Sequence, residues 1–440
     1  MVKMEQVLNK TIYLGISGDF IHHGIINIIE QAASYGEVIV GCLTDAAITE
    51  FKPLPILSFE HRKRVIENIK GVSKVVAQED WDYSVNLKAI KPDFMIHGDD
   101  WREGSMSHIR DNCIEVLNSY GGKLIEIPYT PDVSASLLSR DLHSQRASPS
   151  QRQKLLRRLI ESKKIVRIME AHSPISALIS ENIVYEGEHS IRRFDGFWSS
   201  SLTDSTEMGK PDIEVLDLSH RTKNIGDIFD VTTKPLIIDL DTGGIPEHFI
   251  HSVNRLDRMG VSAVIIEDKT GLKKNSLFGN DVAQTQADMN EFSEKIRLGK
   301  AAQVSSDFMI IARIESLILE KGMEDARARG RAYVNAGADG IMIHSRQKSP
   351  AEVLEFAKFH KSEFPNIPLV CVPSSFNAIT AEELADAGFD VVIYANHLMR
   401  ASYKAMHETA TGILEYDRSW EVEDKLISIK EILKLIPGTE

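Results

Sequence analysis

The sequence predicts an α/β protein of two units, an N-terminal doubly wound parallel sheet followed by a (β/α)8 barrel. Three observations predict it. Strand-like and helix-like patterns alternate along most of the chain, as parallel strands joined by helical crossovers require. The length, 440 residues, exceeds what one ordinary hydrophobic core organises. A stretch without strand pattern, SRDLHSQRASPSQRQKLLRRLIESKK (139–164), divides the chain. The expected organisation is therefore 1–145, a linker and basic helix over 146–164, and 165–440.

In the first unit TIYLGIS (11–17) reads as a buried strand. IINIIEQAASYG (25–36) is an amphipathic helix stopped by glycine, and EVIVGCL (37–43) a second strand. VIENIKG is helical, while KVVAQ (74–78) and DFMIHG (93–98) are strands. HIRDNCIEVLNSYGG is a helix with a glycine stop, and KLIEIP (123–128) is the last strand. A ligand of such a sheet belongs outside the carboxyl ends of the strands.

The second unit offers eight strands: 165–172, 194–200, 235–241, 262–268, 308–314, 340–345, 368–375 and 391–397. Helical patterns such as PEHFIHSVNRLDRMG and GMEDARARGRAYVNAGA separate most of them. In a (β/α)8 barrel the catalytic groups sit at the carboxyl ends of the strands. Those ends carry Ser200, Asp239 and Asp241, Glu267 and Asp268, Arg313, and His344.

Composition limits the chemistry. Apolar residues are 42% and charged residues 26% of the chain, as in a soluble globular protein. A net charge of −13 argues against nucleic-acid or anionic-membrane partners, while leaving room for a local cationic pocket. Cys42, Cys113 and Cys371 are scattered and odd in number, which suits a reducing compartment. MVKMEQVLNK has no apolar core of the secretory kind, so a cytoplasmic protein is expected.

The strand ends suit a small, highly anionic substrate. Asp239, Asp241 and Glu267 are hard oxygen ligands for a partly hydrated Mg²⁺, and no Cys/His cluster competes for zinc. Arg313 can grip a carboxylate or phosphate bidentately, and His344 can donate to an anion. EDKTGLKKNSLFG (267–279) follows the fourth strand and places Lys273 and Asn275 between Gly271 and Gly279, as a closing loop would.

EDKTGLKKNSLFG also resembles the gating-loop signature of the phosphoenolpyruvate mutase family. FDGFWSSSLTDSTEMGKPD (194–212), DLDTGG (239–244), ARIES (312–316), MIHS (342–345) and YANH (394–397) match the family's other motifs in order. The resemblance spans about residues 160–420. It implies a homo-oligomeric (dimer or tetramer) barrel interconverting phosphoenolpyruvate and phosphonopyruvate with Mg²⁺. It further implies that Asp239 holds the metal, supported by Asp241 and Glu267 through water. Trp198, Ser200 and Leu202 would line the pyruvate end, and Arg313 and His344 would bind carboxylate and phosphoryl oxygens. Lys273, Asn275, Ser276 and Leu277 would belong to the mobile loop, and Asp212 matches a residue assigned as phosphoryl acceptor. The related lyases carry a catalytic Cys in this loop and this chain has none there, so C–C cleavage is not expected. Phosphonopyruvate hydrolase shares nearly every motif and is the alternative.

GISGDFIHHGIINIIEQA (15–32) resembles the opening of the cytidylyltransferase family, in which histidines and a helix N-terminus stabilise a triphosphate. HGDDW (97–101) and PDVSASLLSRDL (131–142) resemble later blocks. His22, Gly24 and Asp99 are the nucleotide-binding candidates, with CTP as the implied ligand. The family's second histidine is Ile25 here, and Gly18 stands in the place of its Phe. Isoleucine cannot donate to phosphate, so a non-catalytic domain is expected. The alternative is a bifunctional enzyme that also attaches CMP to a phosphonate.

Overall fold

The computed structural model describes residues 10–102, 106–128, 148–187, 190–271 and 273–436. Thr11–Ile16, Glu37–Leu43, Val72–Gln78, Phe94–Gly98 and Lys123–Ile127 form a five-stranded parallel sheet in the order 3-2-1-4-5. Leu14, Val40 and Ile96 pack on one face, and Tyr13, Leu43 and Met95 on the other. Helices cover both faces, so these strands read as continuous apolar runs rather than alternating ones. The chain order reverses between the first and fourth strands, and the crevice a ligand would use opens there. His22 and Gly24 begin the helix His23–Tyr35 beside it, and Asp99 follows Gly98. The helix expected at VIENIKG runs instead over Phe59–Glu67. Asp45–Phe51 and Ser84–Ile90 are further helices, too short to carry a readable period.

Eight parallel strands close into a barrel: Val166–Glu170, Gly196–Ser199, Leu236–Asp239, Ala263–Glu267, Met309–Ile314, Gly340–Ile343, Leu369–Cys371 and Val391–Tyr394. Each falls inside its expected span. The polar residues at the carboxyl ends, such as Ser200, Asp241 and His344, lie just past the last paired residue. Helices Pro246–Met259 and Met323–Asn335 occupy the expected crossovers. The first ends at Gly260, whose φ of 92° is left-handed and natural only to glycine.

The helix Pro149–Ser162 is more than a linker. Its Leu156 and Leu159 join Val166, Ile168, Ile237, Ala263 and Val391 in one buried cluster, sealing the amino-terminal opening of the barrel. Its polar side chains bind backbone around that rim. Arg152 donates to the carbonyls of Thr232 and Lys234, Gln153 to those of Asp257 and Val261, and Arg157 to those of Asp307 and Phe308. The basic character of this helix is thus partly internal, with Arg152 fully buried. Leu54, from the first unit, enters the same cluster. Arg158 reaches the Ile56 carbonyl and the Asp45 carboxylate.

After the eighth strand, helix His397–Tyr416 buries only Met399 along its length. Its amino terminus is anchored by the buried Glu170 carboxylate, which accepts from the Leu398 and Met399 amides at 3.1 Å. Tyr403, Met406, Leu414, Trp420 and Ile429 leave an apolar surface exposed there. All three cysteines are buried free thiols. Among the described residues, no helix is long and apolar enough to cross a membrane.

Glu126, on the fifth strand of the sheet, tests the charge balance of that unit. Its carboxylate accepts two bonds from Arg110 and one each from Arg102 and Trp101. The Arg110 bonds lead in lowering it from the ordinary 4.5 to about 2. A carboxyl lowered in the folded state contributes stability above its unfolded value and loses it as pH falls toward the folded one. Wild type should therefore be more stable than Glu126→Gln at pH 6, and the gap should narrow between about pH 4.5 and 2. Urea melts at pH 6 and 3 measure this, and an unchanged gap at pH 3 contradicts it.

Candidate active site at the barrel mouth

Consecutive strands aim one residue in two into the barrel and end in polar groups around one mouth. The third strand brings Asp239, whose carboxylate accepts from Ser201 Oγ at 3.0 Å and from the Asp241 amide at 3.1 Å. Asp241 itself holds a positive φ of 54°, which turns the chain sharply at the rim. The fourth strand brings Glu267, the fifth Arg313 and Glu315, and the sixth His344. Arg313 donates through Nε to Glu315 at 2.6 Å and through Nη2 to Ser276 Oγ at 2.6 Å. The same Nη2 lies 2.8 Å from His344 Nδ1 and 3.3 Å from Glu267 Oε2.

The segment after Glu267 folds over this mouth. A two-residue antiparallel pairing, Lys269–Thr270 with Thr285–Gln286, ties its base. Gly271 starts the excursion at a φ of 80°. Lys273 is 6% exposed, so it is far from the solvated loop lysine that position alone suggests. Its ammonium hydrogen-bonds Asp241 and Ser201, and lies 3.1 Å from Asp212 and 3.8 Å from Asp239. Asn275 Nδ2 donates to Asp212 at 3.1 Å. Beneath the segment remains a cavity of about 70 Å³.

Burial and pairing set the charges. Burial would raise the Asp239 carboxyl, but Lys273, Arg313 and Arg221 outweigh it and hold it down at about 2. Burial pushes Glu267 up to about 7, helped by Glu315 and opposed by Arg313. Burial and then Arg313 lower His344, so a neutral imidazole accepts from the guanidinium. Burial would also lower Lys273, but the surrounding carboxylates push it up, so the ammonium stays charged.

Trp198, Ser200, Leu202, Asp212, Asp239, Glu267, Lys273, Asn275, Ser276, Arg313 and His344 all line the cavity. Asp241 lies behind that wall, against Lys273 and 3.8 Å from Arg221. The Leu277 side chain lies outside the described residues. Asp268 points away from the mouth, into a buried cluster with Arg329, Tyr333 and Gln286. The acid pair is therefore split, and only Glu267 faces the cavity. Sequence reasoning missed Ser201, Glu315, Arg221 and Asn396. Of these, Ser201, Glu315 and Asn396 lie inside the quoted motifs at 194–212, 312–316 and 394–397, which could have found them, while Arg221, inside the helix Leu218–Val231, had no such signal.

The oxygen donors suit a hard, largely hydrated cation. Glu267 Oε1 and Asp212 Oδ1 are buried and accept no hydrogen bond; each faces a lysine ammonium, Lys269 at 3.2 Å and Lys273 at 3.1 Å, and keeps a lone pair that a cation or its waters could use. Among the described residues no three acidic, imidazole or thiol groups form a ready metal cage. A Mg²⁺ that keeps several waters and leans on one or two carboxylates needs none.

At the other candidate site, His22 and Gly24 stand at the helix start and Asp99 across the crevice. His22 Nδ1 is buried without a partner, and burial followed by His23 lowers the ring's pKa. Ile25 packs against the apolar core of the sheet. Gly18 has a φ of 71°, a left-handed turn in which the family's Phe would be strained, and a Cβ there would press on the end of the Ile66 side chain at 2.7 Å. The fully buried Arg62 crosses the ends of the first two strands, bonding the Ser17 and Leu43 carbonyls and Asp45. The PDVSASLLSRDL block lies outside the described residues.

A phosphoenolpyruvate phosphomutase family model matches residues 156–414. The chain belongs to that family. Residues 17–141 match a cytidylyltransferase-like model. Phosphoenolpyruvate phosphomutase of Tetrahymena pyriformis is 36% identical over 281 residues, 64% of this chain and 89% of that protein. Phosphonopyruvate hydrolase of a Variovorax species is also 36% identical, over 64% of this chain and 93% of its own. The crystal structure of a phosphoenolpyruvate phosphomutase from Streptomyces platensis superposes with a TM-score of 0.59 at 36% identity, covering 64% of this chain and 94% of that one. A phosphonopyruvate hydrolase structure with oxalate and Mg²⁺ gives 0.57 at 34% identity, with the same coverage. The chain is thus an enzyme of the phosphomutase family, and its barrel accounts for the likeness.

Arg221 shows how firmly the floor is built. Its guanidinium, 4% exposed, donates to Asp204 at 2.9 Å, to Ser199 and to the Asp239 carbonyl. Arg221→Met should cost about 3–5 kcal/mol, because Asp204 stays buried without its partner. Guanidinium melts measure it, and a loss under about 1 kcal/mol, the range of an exposed pair, would contradict the packing described.

Proposed function

We propose that the barrel interconverts phosphoenolpyruvate and phosphonopyruvate, and that the 269–286 segment is its gate. The observation that carries this reading is the buried Lys273–Asn275–Asp212 contact, which closes a cationic lid onto a floor of hard carboxylates. Phosphoryl transfer asks the protein mainly for positioning and charge stabilisation, and for the exclusion of water. Arg313 and the neutral His344 offer donors to carboxylate and phosphoryl oxygens. Trp198, Ser200 and Leu202 shape the pyruvate end. Lys273 and Asn275 can follow the transferring group while Asp212 orients them or accepts it. Asp239 would hold Mg²⁺, with Asp241 and Glu267 bound through water; the ion supplies charge stabilisation to the phosphoryl group. The exposed apolar side chains of His397–Tyr416 support a homo-oligomer.

Phosphonopyruvate hydrolase is the competing reading, since the Variovorax enzyme is as similar as the mutase. Phosphorus NMR of phosphonopyruvate with enzyme and Mg²⁺ separates them. Phosphoenolpyruvate is the expected main product, with inorganic phosphate and pyruvate as the contradicting one. EDTA should abolish turnover and Mg²⁺ restore it, while Asp239→Ala loses most of it; full activity in metal-free buffer would refute the metal assignment.

For the first unit we propose a structural role that fixes the closed end of the barrel. Leu54 in the barrel cluster, Arg62 across the strand ends and Ile25 in the core support it. Losing one preorganised donor costs about 10²–10³ in rate. Pyrophosphate release from CTP with a phosphonate alcohol or amine should therefore be absent or very slow. Robust cytidylylation would establish the bifunctional enzyme instead.

A further inference from the structure

Lys269 belongs to neither the floor nor the cavity wall, yet it is a fully enclosed cation, 4% exposed. It sits at the base of the segment, one residue past the acid pair. Its ammonium has three donors. They reach the Lys274 carbonyl at 3.0 Å, Ser276 Oγ at 2.9 Å and Gln284 Oε1 at 3.0 Å. All three acceptors belong to the segment, two on its outgoing limb and one on its returning limb. Lys274 and Ser276 flank Asn275 and follow Lys273, so the same ammonium fixes the backbone that carries the proposed lid groups. Below it lie two floor carboxylates, Glu267 Oε1 at 3.2 Å and Glu315 Oε2 at 3.4 Å. Ser276 is shared further, donating to Glu315 and accepting from Arg313.

We infer that Lys269 is a positioning residue that selects the closed form of the 269–286 segment, by joining both limbs of the lid to the carboxylate floor. The inference deepens the gating role proposed above and rests on it. The geometry gives the reason. If the segment lifts, the ammonium keeps its glutamates but exchanges its three fixed lid acceptors for the water that enters with the opening. Hydrogen bonds to a charged donor are net favourable over the same donor's bonds to water, so the exchange disfavours the open form. A lysine that only neutralised Glu267 and Glu315 would have no need to spend its donors on the lid.

Limited proteolysis of the full chain reads the lid directly. Phe278 is 55% exposed at the tip, and chymotryptic cleavage after it, located by mass spectrometry, reports how often the segment opens. Lys269→Met should speed that cleavage about ten-fold or more, the loss expected for hydrogen bonds to a charged donor. Gln284→Leu removes one lid acceptor and leaves every charge in place, so it decides the matter if Lys269→Met fails to fold; it should speed cleavage by a smaller factor. With phosphonopyruvate and Mg²⁺, both variants should yield more phosphate and pyruvate relative to phosphoenolpyruvate. In that side reaction water attacks phosphorus, the P–C bond breaks, and the enolate takes a proton to become pyruvate. Unchanged cleavage in the folded variants, with a lowered melting temperature alone, would overturn the inference and leave Lys269 as a charge neutraliser. The proteolysis needs no turnover. A wild type that makes no phosphoenolpyruvate would sink the proposed reaction while leaving the protease result to judge Lys269.

Discussion

Charge neutralisation at the barrel mouth is the constraint on which the rest depends. Asp212, Asp239, Asp241, Glu267 and Glu315 crowd one end of a closed barrel, where an unpaired ion is costly. The floor supplies Arg221 and Arg313, and the remaining cations, Lys269 and Lys273, come from the segment that covers the mouth. Neutralising the carboxylates and covering the cavity are therefore one event. A lid of neutral residues could shut out water but would leave the acids exposed to each other. An open mouth could be neutralised by solvent ions but would admit water to the reaction.

That arrangement needs a rigid frame, because a displacement of about 1 Å in a catalytic group is already expensive. The frame is built from the opposite end. Helix Pro149–Ser162 fills the amino-terminal opening with leucines and ties successive strand starts together through Arg152, Gln153 and Arg157. The first unit adds Leu54 to the same cluster and braces the helix through Asp45 and Arg158. The N-terminal unit thus meets the barrel at its amino-terminal face, where a barrel's residues serve stability.

Much of this was legible in the sequence, for a physical reason. Strands buried on both sides read as apolar runs, and a polar residue at the end of such a run marks the mouth. Asp239, Glu267, Arg313 and His344 were visible in that way, and the structure gathers them around one cavity. What failed was anything that needed a direction in space. Asp268 sits next to Glu267 and is as acidic, but the strand pleat turns it toward Arg329 and Tyr333. Lys273 was legible as a cation on a closing loop, but its burial against Asp212 and Asp241 was not, because sequence does not record where the loop folds back. Lys269 belonged to the quoted loop motif but had no role there, and only the lid acceptors gathered around its ammonium give it one. Glu315 was hidden beside the more conspicuous Arg313. Helices Asp45–Phe51 and Ser84–Ile90 were too short to show a period. Arg62 gave no signal, since one arginine in an amphipathic helix looks like any other. Ile25 and Gly18 were read as departures from a catalytic motif, and the core contact of one and the left-handed turn of the other give those departures a cause.

The central claim is that the phosphoryl group changes partners beneath a closed cationic lid without meeting water. Running the reaction from phosphonopyruvate in water enriched in heavy oxygen, and weighing the products, tests it most directly. The account predicts phosphoenolpyruvate whose phosphoryl group carries no solvent oxygen. Inorganic phosphate bearing one solvent oxygen as the principal product would contradict it.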